Sequence, residues 1–178
     1  MPGKPGGVPV RTIVLVGFMA AGKSTAGRIV AERLGWSFAD LDSEIEKRAG
    51  STIAALFRDH GEAAFREIER DLTPALVRRH DSVLATGGGW AAQSGTIEAL
   101  PDTAVAVWLD VSPEEAVRRA TAEGTPRPLL DADDPLAAAR TLLARRKPYY
   151  EKADLRIAVD GRSPQDTADD IVTLVFDV

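Results

Sequence analysis

Directly behind the apolar run TIVLV, residues 17–25 read GFMAAGKST, and no other stretch constrains the fold of this chain as strongly. Gly17, Gly22, Lys23 and Ser24 fit the spacing G-x-x-x-x-G-K-[ST] without substitution. A strand, a glycine-rich loop and a helix in that order let successive backbone N–H groups and the positive helix N-terminus converge on a phosphate. In that geometry Lys23 reaches the β- and γ-phosphates and the Ser24 hydroxyl ligates Mg²⁺. The motif predicts a nucleoside triphosphate site, with contacts from Gly17, Ala20, Ala21, Gly22, Lys23, Ser24 and Thr25. It leaves the acceptor of the phosphate open.

The rest of the chain keeps the alternation of strand and helix. β-rich runs predict strands at 12–16, 37–40, 82–86, 104–109 and 155–159, separated by amphipathic segments. That is the pattern of an α/β fold with a parallel sheet covered by helices on both faces. TAGRIVAERLG carries Ile29, Val30 and Leu34 at helical spacing and stops at Gly35, while GEAAFREIERDL places Phe65, Ile68 and Leu72 on one face. Pro74 is expected to kink or restart that helix. Ser112 with Pro113 and Glu115, and Ser163 with Pro164, read as capped helix starts. Residues 120–135 hold one Gly, three Pro and four Asp or Glu, which predicts a surface loop or lid rather than a packed element. Residues 1–11 read as a flexible tail before a single domain at 12–178.

Composition removes several classes of function. The net charge of −5 argues against a broad nucleic-acid surface, which needs clustered Lys and Arg to neutralise phosphates. The absence of cysteine excludes disulfides, thiolate nucleophiles and Cys-based zinc sites. His60 and His80 are the only histidines and have no ligand-like spacing, so they read as solvated residues near helix ends. No apolar run approaches membrane-spanning length and the opening MPGKPGGVPVR has no apolar signal core, which predicts a cytoplasmic protein with no membrane partner.

The chemistry concentrates at predicted strand ends, where ligands gather in a parallel sheet. In FADLD, Asp40 and Asp42 share a face if the strand continues. One carboxylate can help to hold hydrated Mg²⁺ while the other orients, and deprotonates, an acceptor hydroxyl. Asp is also a favoured helix cap, so Asp42 as a mere cap of SEIEKRAG is an alternative. Asp110, behind the apolar run AVAVWL, is a rival for the metal. In TGGGW, Gly87, Gly88 and Gly89 suggest close backbone approach to a ligand, with a plain turn as the alternative. Arg66, the proline-flanked Arg127, and Arg145 or Arg146 supply charge for an anion.

Taken in order, GFMAAGKST, FADLD, GEAAFREIE, TGGGW, RPLL and RRKPYY resemble the shikimate kinase family over about residues 11–176. The resemblance implies a P-loop NTPase fold like that of nucleoside monophosphate kinases, with a five-stranded parallel sheet flanked by helices and a mobile lid. It implies a monomer that moves the γ-phosphate of ATP to the 3-hydroxyl of shikimate with Mg²⁺. By the same resemblance Asp42 binds the shikimate hydroxyls and is the candidate base, and Asp40 stands with Ser24 near the metal. Arg66 and Arg146 meet the carboxylate, Gly87, Gly88 and Gly89 line the acceptor pocket, and Arg127 reaches the transferring phosphate. Arg119 and Arg162 match positions that flank the adenine. Trp90 departs from the pattern, since members commonly carry a small residue there, and its indole either walls the acceptor pocket or packs inward. Another small-metabolite kinase of the same fold, acting on gluconate or a nucleotide, and a non-catalytic ATP-binding regulatory domain are the rival readings. A guanine-nucleotide switch is excluded, because a chain without asparagine cannot carry N-K-x-D.

Overall fold

A computed structural model describes residues 8–123 and 133–176. β1 (Thr12–Val16) is buried along its whole length, as a strand covered on both faces must be. It sits at the centre of a parallel sheet with β2 (Ser37–Asp40), β3 (Ser82–Ala85), β4 (Ala104–Asp110) and β5 (Leu155–Ala158), in the order β2-β3-β1-β4-β5. All five expected strands are present, with ends shifted by at most one residue. From β1 the chain goes out to β2, returns to β3, and then crosses to β4 on the other side. The crossovers therefore leave in opposite directions beside β1, and a crevice opens at the carboxyl ends of the strands.

Six helices are described: α1 (Lys23–Leu34), α2 (Leu41–Ala49), α3 (Ile53–Val77), α4 (Pro113–Glu123), α5 (Pro135–Tyr150) and α6 (Pro164–Phe176). α1 lies tight against the sheet because Gly27 has no side chain. A Cβ there would come within 2.8 Å of the Phe38 ring and 3.0 Å of Leu15. Val30 and Ala31 are buried on the same helix, with Ile29 and Leu34 packed at the edge of the core. This seating aims the α1 N-terminus into the crevice.

Several expectations need correction. Val10 is already buried and Arg11 pairs with Asp81, so the tail expected over 1–11 is anchored by residue 10; residues 1–7 lie outside the described part. The expected break at Pro74 falls instead at Gly61, whose φ of 78° is left-handed and favours glycine, while the helical dihedrals run on through Pro74. Of the loop expected over 120–135, residues 120–123 complete α4 and Pro135 begins α5 behind an Asp134 cap; residues 124–132, Arg127 among them, lie outside the described residues. The box at Ser112 is only half formed. Its hydroxyl accepts from Glu115 N–H, but Ser112 N–H donates to Asp160 and the Glu115 carboxylate turns to Arg118 and Arg119. At Ser163 the reciprocal box is complete with Asp166.

Candidate active site

The phosphate loop is shaped by two backbone constraints. Gly17 has φ 139°, and a Cβ there would come within 2.4 Å of the Leu109 carbonyl oxygen, so β1 can turn beside β4 only with glycine at this position. Ala20 at φ 55° and Gly22 at φ 86° are left-handed, a conformation that turns backbone N–H groups inward. Lys23 is buried and donates to the carbonyls of Gly17 and Phe18 at 2.9 and 2.8 Å, which folds its ammonium into the loop.

The Ser24 hydroxyl donates to Oδ2 of Asp40 at 2.5 Å. The other oxygen of Asp40 accepts from Ser43 N–H at 3.2 Å and caps α2. β2 thus ends at Asp40, and the continued strand expected for the Asp pair is replaced by a helix start. Asp42 is not the cap. It stands in the first turn of α2, and both aspartates line one cavity with Lys23, Ser24, Thr25, Thr86 and Gly87. Burial, reinforced by the neighbouring Asp40 charge, pushes the Asp42 carboxyl up to about 6 against an opposing pull from Lys23. The rival Asp110 instead accepts from Arg156 at 2.9 and 2.5 Å on the edge strand. Hard oxygen donors at Ser24 and Asp40 beside a phosphate cradle suit Mg²⁺, which keeps several waters and takes few protein ligands. No group of three or more His, Cys, Asp or Glu among the described residues could hold a metal ion.

Gly87 and Gly88 line this cavity and, with Gly89, a second one lined also by Met19, Phe57, Phe65, Arg66, Asp42 and Arg146. Close approach explains each glycine. A Cβ at Gly87 would meet Asp42 Oδ1 at 2.8 Å, one at Gly88 the Met19 backbone nitrogen at 3.2 Å, and one at Gly89 the Arg66 guanidinium at 2.9 Å and that of Arg146 at 3.4 Å. Two arginines and one aspartate therefore converge on a single arc of backbone. Arg146 donates to the Gly88 carbonyl at 3.1 Å and lines the cavity, whereas Arg145 is exposed. Arg66 is held by Glu69 at 2.7 Å and, more loosely, by Glu62. Trp90 packs inward, fully buried, with its indole N–H donating to Thr73 at 3.1 Å.

A third groove runs on the opposite side of the phosphate loop between Ala20, Ala21, Gly22, Thr25 and Ala26 on one hand and Arg119, Pro164 and Thr167 on the other. Arg119 is held rigidly: Nε donates to Glu115 at 2.7 Å, Nη2 to the Val159 carbonyl at 2.6 Å and Nη1 to the Ala20 carbonyl at 3.4 Å. With its edges engaged, the guanidinium can offer a flat face to a planar base. Arg162 is not part of this groove. It pairs with Asp170 on α6, and Pro164, read from sequence only as a helix start, takes the groove position. Glu69, three residues beyond Arg66 on α3, was also missed, although helical spacing could have found it.

Comparison with known proteins agrees with this geometry. A family model described as shikimate kinase matches residues 19–175. A shikimate kinase of Parasynechococcus marenigrum is 42% identical over 93% of this chain and 86% of its own length. One of Symbiobacterium thermophilum is 43% identical over 90% of this chain and 93% of its own. The structure of shikimate kinase from Acinetobacter baumannii in complex with shikimate superposes with a TM-score of 0.87 at 37% identity, covering 94% of both chains. The five-stranded parallel sheet and its flanking helices are thus those of a P-loop kinase with a nucleoside-monophosphate-kinase-like fold, and the chain belongs to the shikimate kinase family.

Proposed function

We propose that this chain transfers the γ-phosphate of ATP to the 3-hydroxyl of shikimate, giving shikimate 3-phosphate and ADP. The observation that carries the reading is the convergence of Arg66, Arg146 and Asp42 on the Gly87, Gly88 and Gly89 arc, in a cavity that shares Asp42, Gly87 and Gly88 with that of Lys23. A small ring with one carboxylate and several hydroxyls needs anion-reading forks opposite a hydroxyl-reading carboxylate, and the cavity supplies both.

The adenine lies between Arg119 and Pro164, and the phosphates run along the loop from Ala20 to Thr25. Lys23 exchanges its bonds to the Gly17 and Phe18 carbonyls for the β- and γ-phosphate oxygens. Ser24 and Asp40 would hold Mg²⁺, which neutralises charge on the β- and γ-oxygens when bound. Asp42 accepts a hydrogen bond from the acceptor hydroxyl and takes its proton as the oxygen attacks phosphorus. Arg66 and Arg146 fix the ring by its carboxylate so that this hydroxyl faces the donor. Arg127, outside the described residues, is assigned to the transferring phosphate; Arg127→Ala should lower kcat by roughly 10³-fold, as loss of a phosphate-stabilising arginine does elsewhere.

No helix among the described residues is long and apolar enough to cross a membrane. We assign the protein to the cytoplasm, where ATP is available, and read it as a monomer. The deciding experiment is coupled ADP release across a panel of hydroxy acids and polyols that includes shikimate, gluconate and nucleoside monophosphates. Shikimate-dependent release is the expected result. ATP binding with no acceptor-dependent ADP release would leave only an ATP-binding domain.

A further inference from the structure

Tyr150 ends α5 and is absent from every role assigned above, yet it is fully buried at the acceptor wall. Its ring stacks against Trp108 of β4, with centroids 5.9 Å apart, which fixes the phenol to the sheet. Its hydroxyl donates to the Gly88 carbonyl at 2.5 Å. Arg146, one helical turn earlier, donates to that same carbonyl at 3.1 Å. Phenol and guanidinium thus meet on one carbonyl oxygen, and the phenol is tied to the core through Trp108.

Gly88 is also where the arc lies against the phosphate loop, since a Cβ there would meet the Met19 nitrogen at 3.2 Å. Whatever fixes the Gly88 carbonyl therefore sets the spacing of acceptor wall and donor loop as well as the aim of Arg146. Burial pushes the phenol up to about 12, so the hydroxyl keeps its proton and remains a donor throughout the neutral range.

We propose that Tyr150 is a positioning residue for the acceptor: its hydroxyl holds the Gly88 carbonyl and the Arg146 guanidinium in the arrangement that receives the acceptor's carboxylate. The inference rests on Arg146 reading that carboxylate, as proposed above. A buried phenol satisfied only for stability would make the same bond to Gly88, so the test must separate aim from folding.

Tyr150→Phe keeps the ring and its stacking and removes one oxygen. Steady-state kinetics should show KM for shikimate raised roughly 3- to 10-fold, the range of one net hydrogen bond, with KM for ATP within about twofold. Tyr149→Phe, next in sequence and half-buried, controls for α5 packing and should change neither. Shikimate carboxamide, which lacks the charge that Arg146 reads, should lose much less than shikimate on Tyr150→Phe. In an Arg146→Ala background, Tyr150→Phe should add little further loss, because coupled residues are not additive. The proposal is overturned if Tyr150→Phe leaves KM for shikimate unchanged, if it raises both KM values together with a fall in Tm, or if its effect adds fully to that of Arg146→Ala. Should Arg146→Ala itself leave shikimate binding intact, the carboxylate reading fails first and this inference with it; loss with Arg146→Ala but not with Tyr150→Phe removes Tyr150 alone.

Discussion

A methyl group on Gly87 would stand 2.8 Å from Oδ1 of Asp42, so the absence of a side chain in the acceptor wall is what leaves the candidate base in place. Gly87 is not among the residues with positive φ, and alanine fits its backbone. The clash is with the end of a side chain that can turn away. Gly87→Ala should therefore change stability by less than about 1 kcal/mol. Its kcat/KM should fall by about 10²-fold, the scale of a 1 Å misplacement of a reacting group. Urea denaturation beside the kinetics separates the two, and near-normal turnover would free Asp42 from its role.

The buried Asp42 also predicts how metal-free stability depends on pH. Its carboxyl holds a proton more tightly in the folded chain, with a pKa of about 6, than in the unfolded one, where the ordinary value of 3.8 applies. The folded state thus binds more protons across that window. The stabilisation is fully present below about pH 4 and is lost as pH rises through about 6, by on the order of 3 kcal/mol. Asp42→Asn, which cannot ionise, should be more stable than the parent at pH 8 in chelator, and the difference should vanish by pH 4. Parallel stability curves for the two proteins would contradict the burial argument.

The third groove separates two arginines that the sequence placed together. Arg119→Ala should raise KM for ATP about tenfold or more and leave KM for shikimate unchanged, since three fixed hydrogen bonds present its face to the groove. Arg162→Ala, whose partner is Asp170, should change neither. Inorganic pyrophosphate makes a useful probe here: Arg119→Ala should weaken ADP but not pyrophosphate, which needs the phosphate loop alone.

Lys23→Met should abolish transfer in a folded protein. Its ammonium satisfies the Gly17 and Phe18 carbonyls, so the variant should also lose about 1–3 kcal/mol of stability. Circular dichroism with single-turnover assays would check both, and substantial phosphoryl transfer by the variant would remove Lys23 from the mechanism.

Much of this was legible from residue order, because hydrophobic runs and glycine spacing are local signals. The strands could be read to within a residue, as could the phosphate loop and the glycine arc. What failed to show was set by partners distant in sequence. Asp40 rather than Asp42 caps α2 because Ser24, sixteen residues away, holds its other oxygen. Arg162 turns to Asp170, a partner that its spacing from Arg119 did not reveal. Trp90, unusual at its position, is resolved by Thr73 on a helix that runs behind the arc. The break at Gly61 rather than Pro74 belongs to the same class: proline near the end of a long helix forfeits one hydrogen bond, whereas left-handed φ ends a helical run outright.

The strand order carries a consequence for how such an enzyme can be altered. β2 and β3, on one side of β1, lead into Asp42 and the glycine arc and are spanned by α3 with Arg66, while β4 and β5, on the other, lead into Arg119 and Pro164. Donor and acceptor recognition are thereby built from separate halves of one sheet, and the segment from Ser37 to Trp90 is a nearly self-contained cassette for the acceptor. α5 returns Arg146 and Tyr150 across the divide, and the Ser24–Asp40 bond joins the two modules at the phosphate loop. Exchange of that cassette between kinases of this architecture should transplant acceptor preference while sparing the nucleotide half, provided that α5 travels with it.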